Sequence, residues 1–333
     1  MEKRKLGELE VSAIGFGCMG LTHGYPPFLT DEESIKLIHE VLDSGCNLLD
    51  TAEIYGPYTD EEVVGKAICD RRDQVVLATK FGFDFSPDAP RMNGMPTSLD
   101  SRPATIIKAL EGSLKRLKTD YIDLYYQHRY DPKVPIEEVA ETMQKLIKEG
   151  KIRYWGLSEA PAEIIERAHK VCKVTAVQND YSLWYRGHEH TILPLCERLG
   201  IGLVAFSPLG KGVLALKKGQ KFELSDDKDA RRTFPRLNGA NLDHNMALVT
   251  IVQDFAERYH ITPAQLAIAW ILHRASHIVP IPGTKKSSRL QENLAAAELK
   301  LTDEQWAAFQ QQVDSVELIG ERYSGGLSKL VEK

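Results

Sequence analysis

Eight short apolar runs recur along the chain, and most are separated by segments with the spacing of amphipathic helices. The runs are rich in β-branched residues and end in polar residues or glycine, as buried strands do. Parallel strands need helical crossovers, and eight strand–helix units in 333 residues fit a closed barrel better than an open sheet. We therefore predict an α/β fold, a (β/α)8 TIM barrel forming one domain over residues 1–333, with strands at 13–17, 47–52, 75–80, 121–128, 154–159, 176–180, 202–208 and 278–283.

Three segments fall outside this repeat. Residues 2–12 alternate around a glycine turn and predict an N-terminal β-hairpin that caps the bottom of the barrel. The segments 81–100 and 211–245 each follow a strand, so we expect long loops on the C-terminal face, the second as a lid over the site.

Thr59-x-x-Glu62 predicts a capping box for the second helix.

Composition excludes several classes of protein. The net charge of -5 argues against a nucleic-acid binder, and no apolar run approaches the roughly 18 residues of a membrane span. Five scattered cysteines without metal-ligand spacing indicate reduced thiols, a cytoplasmic location and no metal site. The oligomeric state is left open.

The hexapeptide Gly15-Phe-Gly-Cys-Met-Gly20 fits the dinucleotide pattern G-x-G-x-x-G. That pattern requires a helix directly after the last glycine. The segment 21–27 contains another glycine and two prolines and cannot carry that helix. The sequence therefore argues against a Rossmann domain and places these glycines at the end of the first barrel strand.

Charged and polar side chains stand at the ends of three neighbouring predicted strands. Asp50, Lys80 and His128 each close an apolar run, and Tyr55 lies just past the first of these ends. In a barrel this is the face that carries catalysis. We expect Asp50 to pair with Lys80, and the lysine charge to lower the pKa of Tyr55. Tyr55 would then protonate a carbonyl oxygen that His128 helps to orient, while another group delivers hydride.

Several stretches containing these residues resemble one enzyme family. They are Asp50-Thr-Ala-x-x-Tyr55-Gly, Gln127-His128-Arg-Tyr-Asp131, Gly156-Leu-Ser158 and Ile281-Pro-Gly283. With these motifs in this order, the chain resembles the aldo-keto reductases over nearly its whole length. Its motifs are most similar to those of the bacterial, yeast and plant branch of the family, which includes pyridoxal reductase and auxin-induced-like members.

The resemblance implies NADPH-dependent reduction of aldehydes and ketones, with a catalytic tetrad of Asp50, Tyr55, Lys80 and His128. Hydride would come from C4 of the nicotinamide and the proton from Tyr55. It also implies an NADPH site formed by Gly17, Cys18, Met19, Ser158, Gln178, Phe206, Ser207, Pro208, Leu209, Gly210, Gly212, Gly283, Lys285, Ser288, Arg289, Glu292 and Asn293. The small-molecule carbonyl substrate is expected against Tyr25, Phe81, Phe83, Arg129, Trp184 and Tyr185.

Two points bear on these expectations. Lys285, Lys286 and Arg289 surround a predicted helix start, which suits the 2′-phosphate of NADPH and favours it over NADH. Glu159 stands where many relatives have an asparagine that touches the carboxamide.

One alternative remains open, an NADP-binding regulatory protein of the same fold, similar to potassium-channel β subunits, with marginal turnover. A hydrolase with Ser158 as nucleophile in a near G-x-S-x-G motif lacks matching motifs for its acid and histidine, and the strand count and the tetrad argue against it. A phosphate-binding barrel isomerase could use the cationic helix start near the last strand, but it would not explain the four tetrad residues together.

Overall fold

A computed structural model describes residues 1–92 and 94–325 of the chain. Eight parallel strands form one sheet, and in the order of their pairing they are Phe16–Gly17, Leu48–Asp50, Val76–Phe81, Ile122–Gln127, Ile152–Ser158, Ala176–Asp180, Gly202–Phe206 and Ile278–Pro280. The backbone N–H of Gly15 donates to the carbonyl of Pro280 (2.9 Å), so the first barrel strand meets the last and the predicted (β/α)8 barrel is confirmed. The strands are β1 Lys3–Leu6, β2 Leu9–Ser12, β3 Phe16–Gly17, β4 Leu48–Asp50, β5 Val76–Phe81, β6 Arg91–Met92, β7 Met95–Pro96, β8 Ile122–Gln127, β9 Ile152–Ser158, β10 Ala176–Asp180, β11 Gly202–Phe206 and β12 Ile278–Pro280.

The hairpin of β1 and β2 forms as predicted and closes the N-terminal end of the barrel. Leu6, Leu9 and Val11 belong to the same buried cluster as the inward-facing side chains of six barrel strands. Arg4 donates hydrogen bonds to the carbonyls of Leu272 (2.8 Å) and Ala275 (2.8 Å), at the C-terminal end of a helix. A cation at that helix end is electrostatically favourable, so the hairpin is attached by charge as well as by packing.

Ten α-helices lie in the described part of the chain, and those between the barrel strands bury their apolar faces against the outside of the sheet. They are α1 Asp31–Asp43, α2 Thr59–Ile68, α3 Pro103–Arg116, α4 Ile136–Lys148, α5 Ala162–Val171, α6 Ile192–Leu199, α7 Gly239–Arg258, α8 Pro263–Arg274, α9 Ser287–Leu294 and α10 Asp303–Asp314. None of the described helices is long and apolar enough to cross a membrane.

The predicted capping box at the start of α2 is wrong. Tyr58 precedes the helix in the left-handed conformation (φ 71°) and is the N-cap, without a side-chain cap. Thr59 is already the first helical residue, and its hydroxyl donates to the carbonyl of Gly56 (2.8 Å). Capping boxes form instead at Thr30 in α1 and at two later helices.

The two long insertions lie after β5 and β11, as expected. The first carries the short hairpin of β6 and β7. The second is irregular only as far as Asn238, because α7 begins at Gly239. It approaches the loop after β3, where the N–H of Ala230 donates to the carbonyl of Gly24 (3.0 Å). These loops build the wall around the mouth of the barrel.

Candidate active site

The C-terminal ends of β4, β5 and β8 bring the four predicted tetrad residues together. Asp50 is the last residue of β4 and pairs in register with Ala78 of β5, so the Lys80 side chain leaves the sheet beside it. His128 directly follows β8, and the turn after β4 carries Tyr55. Parallel strands place their carboxyl ends at one rim, which explains why residues far apart in the sequence meet here.

Lys80 and Asp50 form a buried ion pair. The Lys80 Nζ lies 2.5 Å from Asp50 Oδ1 and 2.8 Å from the carbonyl of Thr51, and its side chain has 0% exposure. Burial alone would lower the pKa of Lys80, but the charges of Asp50 and Tyr55 outweigh it and raise the pKa. The second Asp50 oxygen accepts from Gln178 Nε2 (2.7 Å), which satisfies the buried carboxylate.

Tyr55 receives the third contact of this lysine, with its hydroxyl 3.3 Å from Lys80 Nζ. The prediction that Tyr55 has a lowered pKa is wrong, because the net shift of its pKa is upward. Burial raises the pKa above its usual value, and the lysine charge offsets only part of that rise. The sequence indicated the nearby cation, whereas the degree of burial depends on the folded loops. Tyr55 therefore keeps its proton at neutral pH.

His128 lies edge-on to Tyr55, with ring centroids 5.8 Å apart. Burial and the charges of Arg129 and Lys80 lower its pKa well below the usual value, so the ring is neutral at physiological pH. Its Nδ1 is buried without a hydrogen-bond partner in the described structure. A neutral imidazole next to a protonated phenol can hydrogen-bond a carbonyl oxygen.

A second histidine, His23, was missed in the sequence. Its ring stacks on Tyr55 with centroids 6.0 Å apart and planes 17° from parallel. The adjacent Thr22 donates from its hydroxyl to Asp60 Oδ1 (2.9 Å), and Thr51 donates to Oδ2 of the same carboxyl (2.6 Å). The Asp60 carboxyl therefore links the loop after β3 to the residue that follows β4. The sequence feature that could have indicated His23 is its position between Gly20 and Gly24, in the loop that follows the first barrel strand.

Ser158 and Gln178 lie side by side in the register of β9 and β10. The Ser158 hydroxyl accepts from Arg129 Nη1 (3.1 Å), and the amide nitrogen of Gln178 donates to Asp50. Each keeps further hydrogen-bonding capacity, since a hydroxyl also donates and an amide oxygen accepts. The pair can therefore receive a planar amide such as a carboxamide.

Gly17 and Gly283 are required for barrel closure. A Cβ at Gly17 would lie 2.9 Å from the Ile281 carbonyl oxygen, and one at Gly283 would lie 2.7 Å from the Gly17 carbonyl oxygen. Glycine is therefore needed at both positions because the backbones of the first and last barrel strands approach each other closely there. Cys18 is fully buried and Met19 is half-buried at the start of the following loop.

The turn after β11 contains the central part of the predicted cofactor site. Ser207, Gly210, Lys211 and Gly212 all have positive φ angles, from 53° to 102°. The chain therefore doubles back beyond Phe206, and Pro208 and Leu209 lie within the turn. A phosphate group fits a turn of this kind when backbone amides face it.

The start of α9 has the properties of an anion site. No side chain caps its first N–H groups, and Ser288 and Arg289 are exposed there. Burial and the nearby charges of Arg231 and Arg289 lower the pKa of Lys285, which shows that cations are crowded at this helix end. Lys285 donates to the carbonyls of Tyr25 and Pro27. Glu292 is half-buried and Asn293 is buried one turn later.

The six residues predicted to line the substrate pocket occupy different environments. Phe83 lies edge-on to His128 with ring centroids 5.3 Å apart, whereas Phe81 packs in the core against Tyr125. Arg129 contacts the site through Ser158, as described above. The remaining three lie in the surrounding loops: Tyr25 under Arg231, Trp184 against Gly210, and Tyr185 under Arg322.

Glu159 makes contacts that sequence reasoning did not anticipate. Its carboxylate accepts from both terminal nitrogens of Arg322 and from the backbone N–H of Asp180 (2.7 Å). Burial alone would raise its pKa, but hydrogen bonding to His188 and the charge of Arg322 lower the pKa to about 2. Glu159 therefore anchors the C-terminal segment at the mouth of the barrel.

Arg322→Ala is expected to destabilise the fold by about 3–5 kcal/mol, because it leaves Glu159 buried without its cation. The folded pKa of Glu159 lies below its usual 4.5, so this stabilisation is present above pH 4.5 and is lost as the pH falls toward 2. Urea unfolding at pH 7 measures the effect. Arg167→Ala, which breaks an exposed pair with Glu137, is the control and should have a much smaller effect. Equal losses in both variants would contradict the anchoring role.

The fold and site together define a (β/α)8 barrel with a Tyr–Lys–Asp–His group at its C-terminal mouth. The sequence model described as "Aldo/keto reductase family" matches residues 13–314. The chain is 41% identical to "Probable aldo-keto reductase 1" of Glycine max, over 97% of this chain and 92% of that protein.

Solved structures agree with this assignment. A glycerol dehydrogenase from Gluconobacter oxydans is 28% identical with a TM-score of 0.83, covering 97% of this chain and 98% of that one. An aldo/keto reductase from Klebsiella pneumoniae, solved in complex with NADP and acetate, is 27% identical with a TM-score of 0.73, covering 97% and 99%. The chain belongs to the aldo-keto reductase family. It is therefore an oxidoreductase of a family that reduces carbonyl groups.

Proposed function

We propose that the protein is an NADPH-dependent reductase that converts aldehydes, and some ketones, to alcohols with Tyr55 as the general acid. The observation that carries this proposal is the contact of Lys80 Nζ with both Asp50 (2.5 Å) and the Tyr55 hydroxyl (3.3 Å). Bound NADPH supplies the hydride that reaches the carbonyl carbon. The chain's own residues supply the proton and the charge stabilisation.

The proton comes from Tyr55, whose raised pKa keeps it protonated until the carbonyl oxygen becomes basic. As the O–H bond of Tyr55 breaks and a bond to the substrate oxygen forms, the phenolate is stabilised by Lys80. Asp50 keeps that lysine charged. His128 is neutral and hydrogen-bonds the same oxygen, so the negative charge that develops there meets donors already in place.

The proposed cofactor residues would bind NADPH in an extended form across the barrel mouth. Ser158 and Gln178 would hold the carboxamide, and the ring of Phe206 would stack on the nicotinamide. The pyrophosphate would follow the turn of residues 207–212. At the other end, Lys285, Ser288 and Arg289 would bind the 2′-phosphate beside Gly283, with Glu292 and Asn293 at the adenine. The cation crowding at α9 supports this end of the proposed site.

The preference for NADPH is tested at Arg289. Arg289→Met should raise KM for NADPH roughly tenfold or more, because a charge-assisted bond to the 2′-phosphate is lost. KM for NADH should not change, since NADH lacks that phosphate. Oxidation of each cofactor with 4-nitrobenzaldehyde, followed by absorbance, measures both. Arg198→Met, on the distant α6, is the control. Equal effects on both cofactors would contradict the assignment.

A further inference from the structure

Arg129 directly follows His128 and is half-buried at the mouth of the barrel. One of its terminal nitrogens, Nη1, donates to the His128 carbonyl (2.6 Å) and to the Ser158 hydroxyl (3.1 Å). These two bonds fix the guanidinium in place. Within residues 1–92 and 94–325, Nε and Nη2 make no hydrogen bond, so one edge of the guanidinium keeps its two donors.

Neighbouring cations around the mouth are paired. Lys80 binds Asp50, as described above. Two further pairs are Lys211 with Asp180 (3.1 Å) and Arg231 with Asp229 (2.6 Å).

Arg129 has no carboxylate at ion-pair distance in the part of the chain that the structure describes. Glu159 is close enough for the charge of Arg129 to lower its pKa, but that carboxylate is occupied by Arg322 and a backbone N–H. A partly buried guanidinium without a counter-ion is costly. An anion from outside the chain would offset this cost.

The position of Arg129 relates this charge to the reacting group. Its charge opposes part of the rise that burial causes in the pKa of Tyr55 and adds to the lowering that burial causes in the pKa of His128, so Arg129 lies close to the groups that would meet the carbonyl oxygen. Phe83 lies edge-on to His128, with ring centroids 5.3 Å apart, and provides apolar surface next to that histidine. Arg129 therefore adds a cation to a site that is otherwise lined by aromatic rings at this point.

We propose that Arg129 determines specificity and that the preferred substrates are aldehydes carrying an anionic oxygen group, a carboxylate or a phosphate. The free Nε–Nη2 edge would bind this group through two parallel hydrogen bonds. This inference rests on the proposed reductase function. It adds a substrate class and a residue outside the tetrad.

The test compares aldehydes that differ only in charge. The first pair is 4-carboxybenzaldehyde and its methyl ester, and the second is glyceraldehyde 3-phosphate and glyceraldehyde. The wild-type protein should show kcat/KM roughly tenfold or more higher for the charged member of at least one pair. The pair with the larger ratio identifies the anion as carboxylate or phosphate.

Arg129→Met should lower kcat/KM for the charged substrate roughly tenfold to a hundredfold more than for the uncharged substrate, mainly through KM. Arg129→Lys should retain part of the preference, because the charge remains and the pair of parallel hydrogen bonds is lost. Arg167→Met on α5 is the matched surface control.

Equal kcat/KM within both pairs for the wild-type protein would overturn the inference while leaving the reductase function intact. Equal losses for charged and uncharged aldehydes in Arg129→Met would also overturn it. If no aldehyde is turned over, the reductase function fails instead. Titration of the NADPH complex with 4-(hydroxymethyl)benzoate and its methyl ester then decides the inference, which predicts weaker binding of the acid alone in Arg129→Met.

Discussion

Tyr55→Phe is expected to lower kcat for aldehyde reduction roughly 10²- to 10⁴-fold, the usual contribution of a positioned general acid. The variant keeps the aromatic ring between His23 and His128 and removes only the hydroxyl that contacts Lys80. The affinity for NADPH and the unfolding temperature should therefore change little. Steady-state kinetics, a fluorescence titration with NADPH and thermal unfolding separate these quantities.

The matched control for this variant is Tyr121→Phe. Tyr121 stacks with Arg72 and Arg153 before β8, at the opposite end of the barrel. Loss of the Tyr121 hydroxyl should leave kcat for aldehyde reduction unchanged. If Tyr55→Phe retained wild-type kcat, the proton would have to come from another donor, and the assignment of Tyr55 as the acid would be wrong.

Asp50→Asn is expected to destabilise the fold by about 3–5 kcal/mol, because it leaves the charge of Lys80 buried without its partner. In the wild-type protein the Lys80 pKa is raised, so the stability from this group is present below its unfolded value and is lost only as the pH rises through the folded value. Without Asp50, burial favours the neutral amine. The variant should therefore lose stability as the pH falls from 9 to 6.

Urea unfolding of Asp50→Asn at pH 6 and pH 9 checks this prediction. The double variant Asp50→Asn/Lys80→Met removes both charges and should recover part of the lost stability without recovering activity. If Asp50→Asn were as stable as the wild-type protein at both pH values, the ion pair would not stabilise the fold in the way that the geometry implies.

The barrel could be predicted because strands and helices leave regular apolar spacing in the sequence. The same regularity locates strand ends, and Asp50, Lys80 and His128 each terminate an apolar run. Parallel strands end at one rim, so the proximity of these residues follows from topology. Local turn geometry is less readable, and the left-handed Tyr58 displaced the expected cap at Thr59.

Contacts between distant segments could not be predicted in this way. The pairing of Glu159 with Arg322 joins residues 163 positions apart, and no local pattern marks either of them. His23 lies in a loop whose path depends on Asp60 and the neighbouring threonines. The direction of the Tyr55 pKa shift depended on burial by several loops, which outweighs the charge that the sequence indicated.

The most direct test of the proposed function is the reduction of 4-nitrobenzaldehyde with NADPH in which both hydrogens at C4 are replaced by deuterium. Direct hydride transfer predicts an alcohol with one deuterium on the carbinol carbon, detected by mass spectrometry, in an amount equal to the NADPH consumed. Bound NADPH with no labelled alcohol would contradict the proposal and favour a regulatory NADP-binding protein of the same fold.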